Sequence, residues 1–274
     1  MKALELGRLI SLAKPRVGLA SGLNDLAEQI VDKIRIAAVA HVRRGVVRDI
    51  PVAVAPLHPV GASVTSASPG GLLGRLSTEK PICIGASTGG TEAIKEVLVQ
   101  MPADSPAIVI TQHMPPGFTT SFAARLNGLC QITVKEAVNG ERILPGHAYI
   151  APRKAISCCS QWRELCCRGG RRPAVNRHKP SVEVLFKSAA AVVGRNAFGI
   201  MLTGMGNDGA AAMREMKDAG SYNYVQDEAS CIVFGMPREA IAHGAADEVL
   251  PLSQIAGALL ARLRGSPDRV LHRI

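Results

Sequence analysis

The sequence predicts an α/β fold with a doubly wound, mainly parallel sheet in a three-layer α/β/α arrangement. Short apolar runs alternate with longer amphipathic segments from Pro81 onward. Strands that alternate with helices of this length are typical of a parallel sheet covered on both faces. The hydrophobic content of 47% is enough to pack such a core. Parallel sheets bind their ligands at the carboxyl ends of the strands, so functional side chains are expected there.

Residues 1–47 are predicted to form a small leading segment with one strand and one helix. The apolar run at residues 9–13 stops before Pro15, and proline is typical of the end of a strand. Asp25 and Glu28 have the spacing of a capping box, which predicts the start of a helix. The apolar residues of this helix recur four apart on one face: Leu26, Ile30 and Ile34.

A linker is predicted over residues 48–79, where four prolines and many serine and glycine residues break any regular element. The main domain then covers residues 80–264. Its strands are short apolar runs with polar or glycine borders, and its helices repeat apolar residues every three or four positions. In chain order, the predicted elements are strand 82–84, helix 92–100, strand 107–111, helix 119–126, helix 181–193, strand 198–202, helix 210–219, a strand that ends at Val225, and helix 255–263.

Composition narrows the classes of function. No apolar run approaches the roughly 18 residues of a membrane span, and Glu5 and Arg8 interrupt the first apolar segment, which disfavours a signal peptide. The formal charge of +10 suggests nucleic acid, but aromatic residues make up only 3% and no nucleic-acid-binding motif occurs. No nucleic-acid partner and no membrane insertion are therefore predicted. A basic face could instead steer an acidic protein surface to the site.

Cysteine usage predicts a reducing, cytoplasmic environment. The seven cysteines are an odd number and fit no disulfide framework. The pairs Cys158-Cys159 and Cys166-Cys167 lack the C-x-x-C spacing of zinc sites, so they are interpreted as ordinary thiols. The sequence predicts no metal and no cofactor.

The most informative stretch is the turn after the first strand of the main domain. Residues 85–89 read Gly-Ala-Ser-Thr-Gly and fit G-x-S-x-G, a turn that presents a serine hydroxyl above the end of a sheet. Ser87 would be a nucleophile at a helix start, where backbone N–H groups favour an oxyanion. A P-loop would need Gly-Lys-Ser/Thr, but Gly90 is followed by Thr91 and Glu92. A dinucleotide turn would need G-x-G-x-x-G, which the glycines at positions 85, 89 and 90 do not match. The motif alone leaves a nucleophile, a nucleotide site and an ordinary capped turn open.

Two further polar residues follow predicted strands at the same edge. His113 comes just past the second strand of the main domain, and Asp208 lies in the glycine-rich turn after residues 198–202. A serine nucleophile needs a base to take its proton and a carboxylate to orient that base. His113 could also be a loop histidine and Asp208 a helix cap, but their joint placement favours a triad. His147 and His178 are weaker candidates: either could line the pocket, but a surface position is favoured.

Six short motifs follow one another along the main domain. They are residues 84–90 (IGASTGG), 112–114 (QHM), 175–182 (VNRHKPSV), 202–209 (LTGMGNDG), 226–230 (QDEAS) and 235–237 (GMP). In content and order they resemble the catalytic domain of the chemotaxis protein-glutamate methylesterases, the CheB type. The resemblance spans roughly residues 81–262 and is specific, because several separate motifs occur in the family's order.

The resemblance implies a function and a set of site residues. Ser87 would be the nucleophile, His113 the general base and acid, and Asp208 the residue that orients the histidine. The backbone near His113 and Met205 would form the oxyanion site. The implied pocket residues are Thr88, Met114 and Met205. The implied reaction hydrolyses glutamate methyl esters on methyl-accepting chemoreceptors with release of methanol, and it extends to deamidation of receptor glutamines in some family members.

The chain departs from the family's pattern in two places. The family begins with a full receiver domain, whereas residues 1–47 resemble only the C-terminal part of one, with Lys14-Pro15 as its signature. Phosphoryl donors are therefore expected neither to label nor to activate the chain. After Pro152 the family continues with a glycine pair, whereas residues 153–172 are rich in cysteine and arginine and are expected to be solvated and irregular. The rival function is accordingly a catalytically impaired receptor-binding remnant without phosphorylation control.

Overall fold

The computed structural model describes residues 80–115, 117–152, 156–161, 164–169 and 180–265, together with Val31 and Ile34. Val31 and Ile34 are helical, as predicted for that segment, and both side chains are exposed. The strand predicted at residues 9–13, the other parts of the leading segment and the linker lie outside the described residues.

The described part of the chain contains nine strands. They are β1 (Ile82–Ala86), β2 (Ile108–Gln112), β3 (Thr133–Glu136), β4 (His147–Ile150), β5 (Ile156–Gln161), β6 (Glu164–Gly169), β7 (Phe198–Met201), β8 (Tyr222–Gln226) and β9 (Glu248–Leu250). Seven of them form one parallel sheet in the order β3-β4-β2-β1-β7-β8-β9. Strands β2, β4 and β3 lie on one side of β1, and the later strands β7, β8 and β9 lie on the other, so the strand order reverses at β1. Open α/β sheets bind their ligands at such a reversal.

Six helices of the described residues cover the two faces of this sheet. They are α1 (Gly90–Leu98), α2 (Phe118–Asn127), α3 (Val182–Val192), α4 (Ala210–Asp218), α5 (Met236–Ala242) and α6 (Leu252–Gly265). Helices α1, α2 and α6 contribute to one core, and α3, α4 and α5 to the other. Along β1, Ile82 and Ile84 belong to the first core and Cys83 to the second, because successive side chains of a strand point to opposite faces. None of these helices is long and apolar enough to span a membrane.

The predicted fold class is confirmed, since the sheet is parallel and lies between two helical layers. The predicted helices and strands around residues 82–126 and 181–219 occur within a few residues of their expected bounds. Strands β3, β4 and β9 and helix α5 were not predicted, because each is too short for a clear local pattern. Only Val134 of β3 is buried, for example, which hides the pattern of a strand.

The expectation of a solvated, irregular segment over residues 153–172 is wrong for β5 and β6. These two strands pair antiparallel over six residues each. The Cys167 side chain is buried at 1% exposure. The Cys167 N–H donates to the Glu141 carbonyl, and the Gly140 N–H donates to the Cys167 carbonyl, both at 2.8 Å. These bonds tie the hairpin to the loop before β4, which local charge counting does not anticipate.

Candidate active site

Ser87 stands at the sharp turn between β1 and α1. Its backbone N–H donates to the Thr203 carbonyl at 3.0 Å, which fixes the turn against the loop after β7. Gly89 has a φ of 80°, a left-handed conformation that glycine adopts without strain. Gly204 lies so close that a Cβ there would be 2.8 Å from the Ser87 Cβ. The turn therefore holds the Ser87 hydroxyl at the carboxyl edge of the sheet.

His113 directly follows β2 and faces Ser87 across two paired strands. Ala86 is opposite Gln112 in the parallel register of β1 and β2. The residues that follow them, Ser87 and His113, therefore lie side by side. The His113 N–H donates to the Ala86 carbonyl at 3.1 Å. The His113 Nδ1 lies 3.2 Å from the Ser87 Oγ. The Ser87 hydroxyl and the His113 imidazole thus come within hydrogen-bond reach because of strand register.

Asp208 lies in the turn before α4, and its side chain is fully buried. The carboxylate faces the His113 Nε2 at 2.8 Å from Oδ2. The Val182 N–H donates to the same oxygen at 2.6 Å, and the Ser181 hydroxyl donates to Oδ1 at 2.8 Å. A buried charge is stable only when it is hydrogen-bonded, so these donors stabilise the ionised carboxylate. The N-terminal dipole of α3 acts in the same direction.

The series from Ser87 through His113 to Asp208 fixes the tautomer of the imidazole. Because Asp208 accepts, the His113 Nε2 carries the proton, and Nδ1 is left as the acceptor for the Ser87 hydroxyl proton. The relay can therefore remove the proton of an attacking serine and stabilise the imidazolium that results.

Glu183 is a second carboxylate beside this relay. Its Oε2 accepts from the Gly209 N–H at 3.2 Å and the Ala212 N–H at 3.4 Å, so it caps the start of α4 from outside the helix. Burial raises the pKa of Glu183, and the Asp208 carboxylate adds to the rise, while the two N–H donors oppose it. Because Gly209 follows Asp208 directly, Glu183 holds the turn that carries the Asp208 carboxylate.

Several backbone N–H groups around Ser87 have no acceptor among the described residues. By contrast, the N–H groups of Ser87 and His113 themselves donate to neighbouring carbonyls, so they are not available to a substrate oxygen. Three of these groups belong to half-buried residues that the sequence predicted for the pocket: Thr88, Met114 and Met205. The N–H groups of Met114 and Met205 thus lack an acceptor where an oxyanion site was expected, whereas the His113 N–H is already bonded to the Ala86 carbonyl.

The other sequence candidates lie elsewhere. His147 begins β4 and so lies at the sheet edge opposite Ser87, where its Nδ1–H donates to the Pro145 carbonyl at 2.8 Å. His178 is outside the described residues. No group of three or more potential metal-ligating side chains occurs in the part of the chain that the structure describes.

Sequence reasoning missed the residues that hold the relay in place. Thr203 shows how they work: its N–H donates to the Gln226 Oε1 at 2.8 Å, and its hydroxyl donates to the Thr88 carbonyl at 3.0 Å. The missed residues are Gln112, Ser181, Glu183, Thr203 and Gln226. All except Glu183 lie inside the motifs quoted above, so the motifs indicated that these positions matter. Their roles could not be predicted, because they depend on contacts between distant parts of the chain.

The open parallel sheet with a serine, a histidine and a buried aspartate in series is the arrangement of a serine hydrolase. Comparison with known proteins narrows that class. A family model described as CheB methylesterase matches residues 82–259, well over half of the chain. The chain belongs to the CheB methylesterase family.

Similar proteins agree with this assignment. The protein-glutamate methylesterase/protein-glutamine glutaminase 1 of Albidiferax ferrireducens is 69% identical over 270 residues, which cover 98% of this chain and 71% of that protein. The corresponding protein of Paraburkholderia xenovorans is 55% identical and covers 98% of this chain and 74% of its own length. The crystal structure of the Thermotoga maritima CheB methylesterase catalytic domain matches with a TM-score of 0.65 and 36% identity, over 67% of this chain and 98% of that one. The expected enzyme class, a protein-glutamate methylesterase, is confirmed. The alternative, a catalytically impaired receptor-binding remnant, is not supported by these comparisons.

Replacing Gly204 by alanine is expected to lower kcat for ester hydrolysis by about 10²-fold. The new methyl group would press on the Ser87 Cβ and on the Met236 sulfur. A displacement of about 1 Å at a reacting group costs about 10²-fold in rate. The matched control is Gly257→Ala on α6, where a Cβ would meet nothing within 4 Å and kcat should not change. A Gly204→Ala enzyme with more than a third of the wild-type kcat would contradict the close packing.

Proposed function

We propose that Ser87, His113 and Asp208 hydrolyse the methyl esters of glutamate side chains on other proteins. The observation that carries the proposal is the relay, with 3.2 Å from the Ser87 Oγ to the His113 Nδ1 and 2.8 Å from the His113 Nε2 to the Asp208 Oδ2. The names of the relatives, protein-glutamate methylesterase/protein-glutamine glutaminase, support this choice of ester.

The acylation step follows from the relay. The Ser87 Oγ attacks the ester carbonyl while the His113 Nδ1 takes the hydroxyl proton, and Asp208 stabilises the imidazolium through Nε2–H. The tetrahedral intermediate then breaks its bond to the methoxy oxygen. His113 returns the proton to that oxygen, so methanol leaves and an ester between Ser87 and the glutamate remains.

The deacylation step reverses these roles with water. His113 removes a proton from a water molecule that attacks the acyl group, and the proton passes to the Ser87 Oγ as that bond breaks. The products are free Ser87 and a glutamate carboxylate. A glutamine side chain would react in the same way, with ammonia as the leaving group, which supports a second activity as a protein-glutamine deamidase.

The oxyanion of both tetrahedral intermediates needs backbone donors. We assign Met114 and Met205 to this role, with Thr88 beside them in the pocket, because their N–H groups have no other acceptor among the described residues. One such donor contributes about 10² to 10³ in kcat.

The proposed partners are methyl-accepting chemoreceptors, which the enzyme would meet in the cytoplasm. The formal charge of +10 supports binding to an acidic protein surface. The same proposal divides the chain into a receiver-like segment at residues 1–47, a linker at 48–79 and a catalytic domain at 80–264. The family match at residues 82–259 supports the last of these.

A serine-reactive fluorophosphonate probe tests the assembled site. The wild-type chain should be labelled on Ser87, and Ser87→Ala should lose the label, because only a hydroxyl beside a base attacks the probe. Ser188→Ala is a matched control, since the Ser188 hydroxyl donates to the Leu185 carbonyl of its own helix. Methylated chemoreceptor should then release methanol with the wild-type chain. Absence of the label would contradict the nucleophile, and a label without methanol release would contradict the substrate.

A further inference from the structure

Gln112, the last residue of β2, joins the nucleophile and the base through a single amide nitrogen. Its Nε2 donates to the Ser87 carbonyl at 2.8 Å and to the His113 carbonyl at 2.9 Å. The residue is 3% exposed, so water does not compete for these bonds. One buried group therefore contacts the backbone of both residues that exchange the proton.

The surroundings of Gln112 fix the orientation of its amide. Both of its near neighbours are carbonyl oxygens, so the NH₂ group must face them, since an oxygen there would be repelled. The Oε1 then lies against Gly90, where any Cβ would overlap it. No donor among the described residues reaches this buried oxygen. An unpaired buried acceptor is unfavourable, so Gln112 does not merely fill space.

The remaining backbone bonds show what Gln112 adds. The Ser87 N–H is held by the Thr203 carbonyl at 3.0 Å, and the His113 N–H by the Ala86 carbonyl at 3.1 Å. Gln112 holds the opposite end of both residues, at their carbonyls. The backbones of Ser87 and His113 are thus each held at both the N–H and the carbonyl. Gln112 is the residue that bonds to both of them.

We propose that Gln112 is a positioning residue that sets the distance between the Ser87 Oγ and the His113 Nδ1. The proposal rests on the roles proposed above for Ser87 and His113. Gln112 acts through these two residues and needs no contact with the substrate. Its loss should slow the chemical step and leave substrate binding nearly unchanged.

Gln112→Met tests this role, because methionine keeps the length of the side chain and removes both donors. The expected result is a kcat for methanol release about 10- to 10²-fold below wild type, with KM within about twofold. The rate of fluorophosphonate labelling at Ser87 should fall by the same factor, because labelling depends on the same proton transfer.

The chain offers a close match for the control. Asn223 in β8 is also buried, and its Nδ2 donates to the carbonyls of Met213 and Ala245. Its Oδ1 lies against Gly199, and no donor in the described part of the chain reaches it. Asn223→Leu should destabilise the fold as Gln112→Met does, but it should keep the wild-type kcat. Equal losses of kcat in the two variants would overturn the positioning role, as would a Gln112→Met enzyme within threefold of wild type.

Gln112→Glu provides a second variant of nearly identical shape. The new carboxyl group, when protonated, would donate to one carbonyl, whereas in its ionised form it would face two carbonyl oxygens. The ratio of wild-type to variant kcat should therefore rise at least threefold with pH over the range where this carboxyl loses its proton. A constant ratio would contradict the proposal. If the wild type is active and His113→Ala is not, a failure of these tests removes only the role of Gln112.

Discussion

Replacing His113 by alanine is expected to lower kcat for methanol release by about 10⁴- to 10⁶-fold, the loss typical of a missing general base in a serine hydrolase. Among the described residues, the His113 Nδ1 at 3.2 Å is the hydrogen-bond partner of the Ser87 hydroxyl, so removing the imidazole removes the group that takes its proton. The methoxide leaving group also lacks its proton donor. The initial rate of methanol release from methylated chemoreceptor measures the effect.

His147→Ala is the matched control for this variant. The His147 ring bonds the Pro145 carbonyl at the far edge of the sheet, so its loss should leave kcat within about twofold of wild type. Added imidazole should restore part of the His113→Ala activity, because the missing ring leaves a pocket beside Ser87 and Asp208. A His113→Ala enzyme within tenfold of wild type would refute the general-base role.

The placement of the three relay residues could be predicted because it follows from the fold class. Ser87 and His113 come just after β1 and β2, Asp208 lies in the loop that follows β7, and parallel strands bring their carboxyl ends to one edge. The alternation of strands and helices in the sequence was therefore sufficient to predict that a hydroxyl, an imidazole and a carboxylate lie at the same edge of the sheet. The distances themselves depend on the register between Ala86 and Gln112, which no local pattern gives.

The supporting residues could not be predicted, because their roles depend on groups that are distant in sequence. Gln112 fits beside Ser87 only because Gly90 has no Cβ. Ser181 was interpreted as the start of a helix, yet its hydroxyl donates to Asp208, 27 residues away. The β5–β6 hairpin was missed for a related reason, since its arginines suggested solvent while backbone bonds from Cys167 tie it to the domain.

Replacing Asp208 by asparagine is expected to lower kcat by about 10³-fold, less than the roughly 10⁴-fold loss that follows when an amide forces the wrong imidazole tautomer. The Oδ2 position of Asp208 receives two donors, the Val182 N–H and the His113 Nε2–H. An NH₂ group cannot occupy that position beside the Val182 N–H. The amide oxygen must therefore take it, and the His113 Nδ1 remains the acceptor for Ser87.

What Asp208→Asn removes is the negative charge of a fully buried carboxylate, which stabilises the imidazolium. The amide NH₂ then faces Ser181, whose hydroxyl can rotate to accept a hydrogen bond. Asp208→Ala should instead lose about 10⁴-fold in kcat and unfold at lower urea concentration, because the buried donors of Val182 and Ser181 would lose their acceptor at about 1–3 kcal/mol each.

The order of kcat in the two Asp208 variants distinguishes loss of the negative charge from a change of the His113 tautomer. Methanol release should rank the wild type first, Asp208→Asn second and Asp208→Ala last, and Ser181→Ala should lie close to the wild type because the charge remains. If Asp208→Asn were as inactive as Asp208→Ala while keeping wild-type stability in urea, the amide would be presenting its NH₂ group to His113. The Val182 N–H would then not control the orientation of the side chain at position 208.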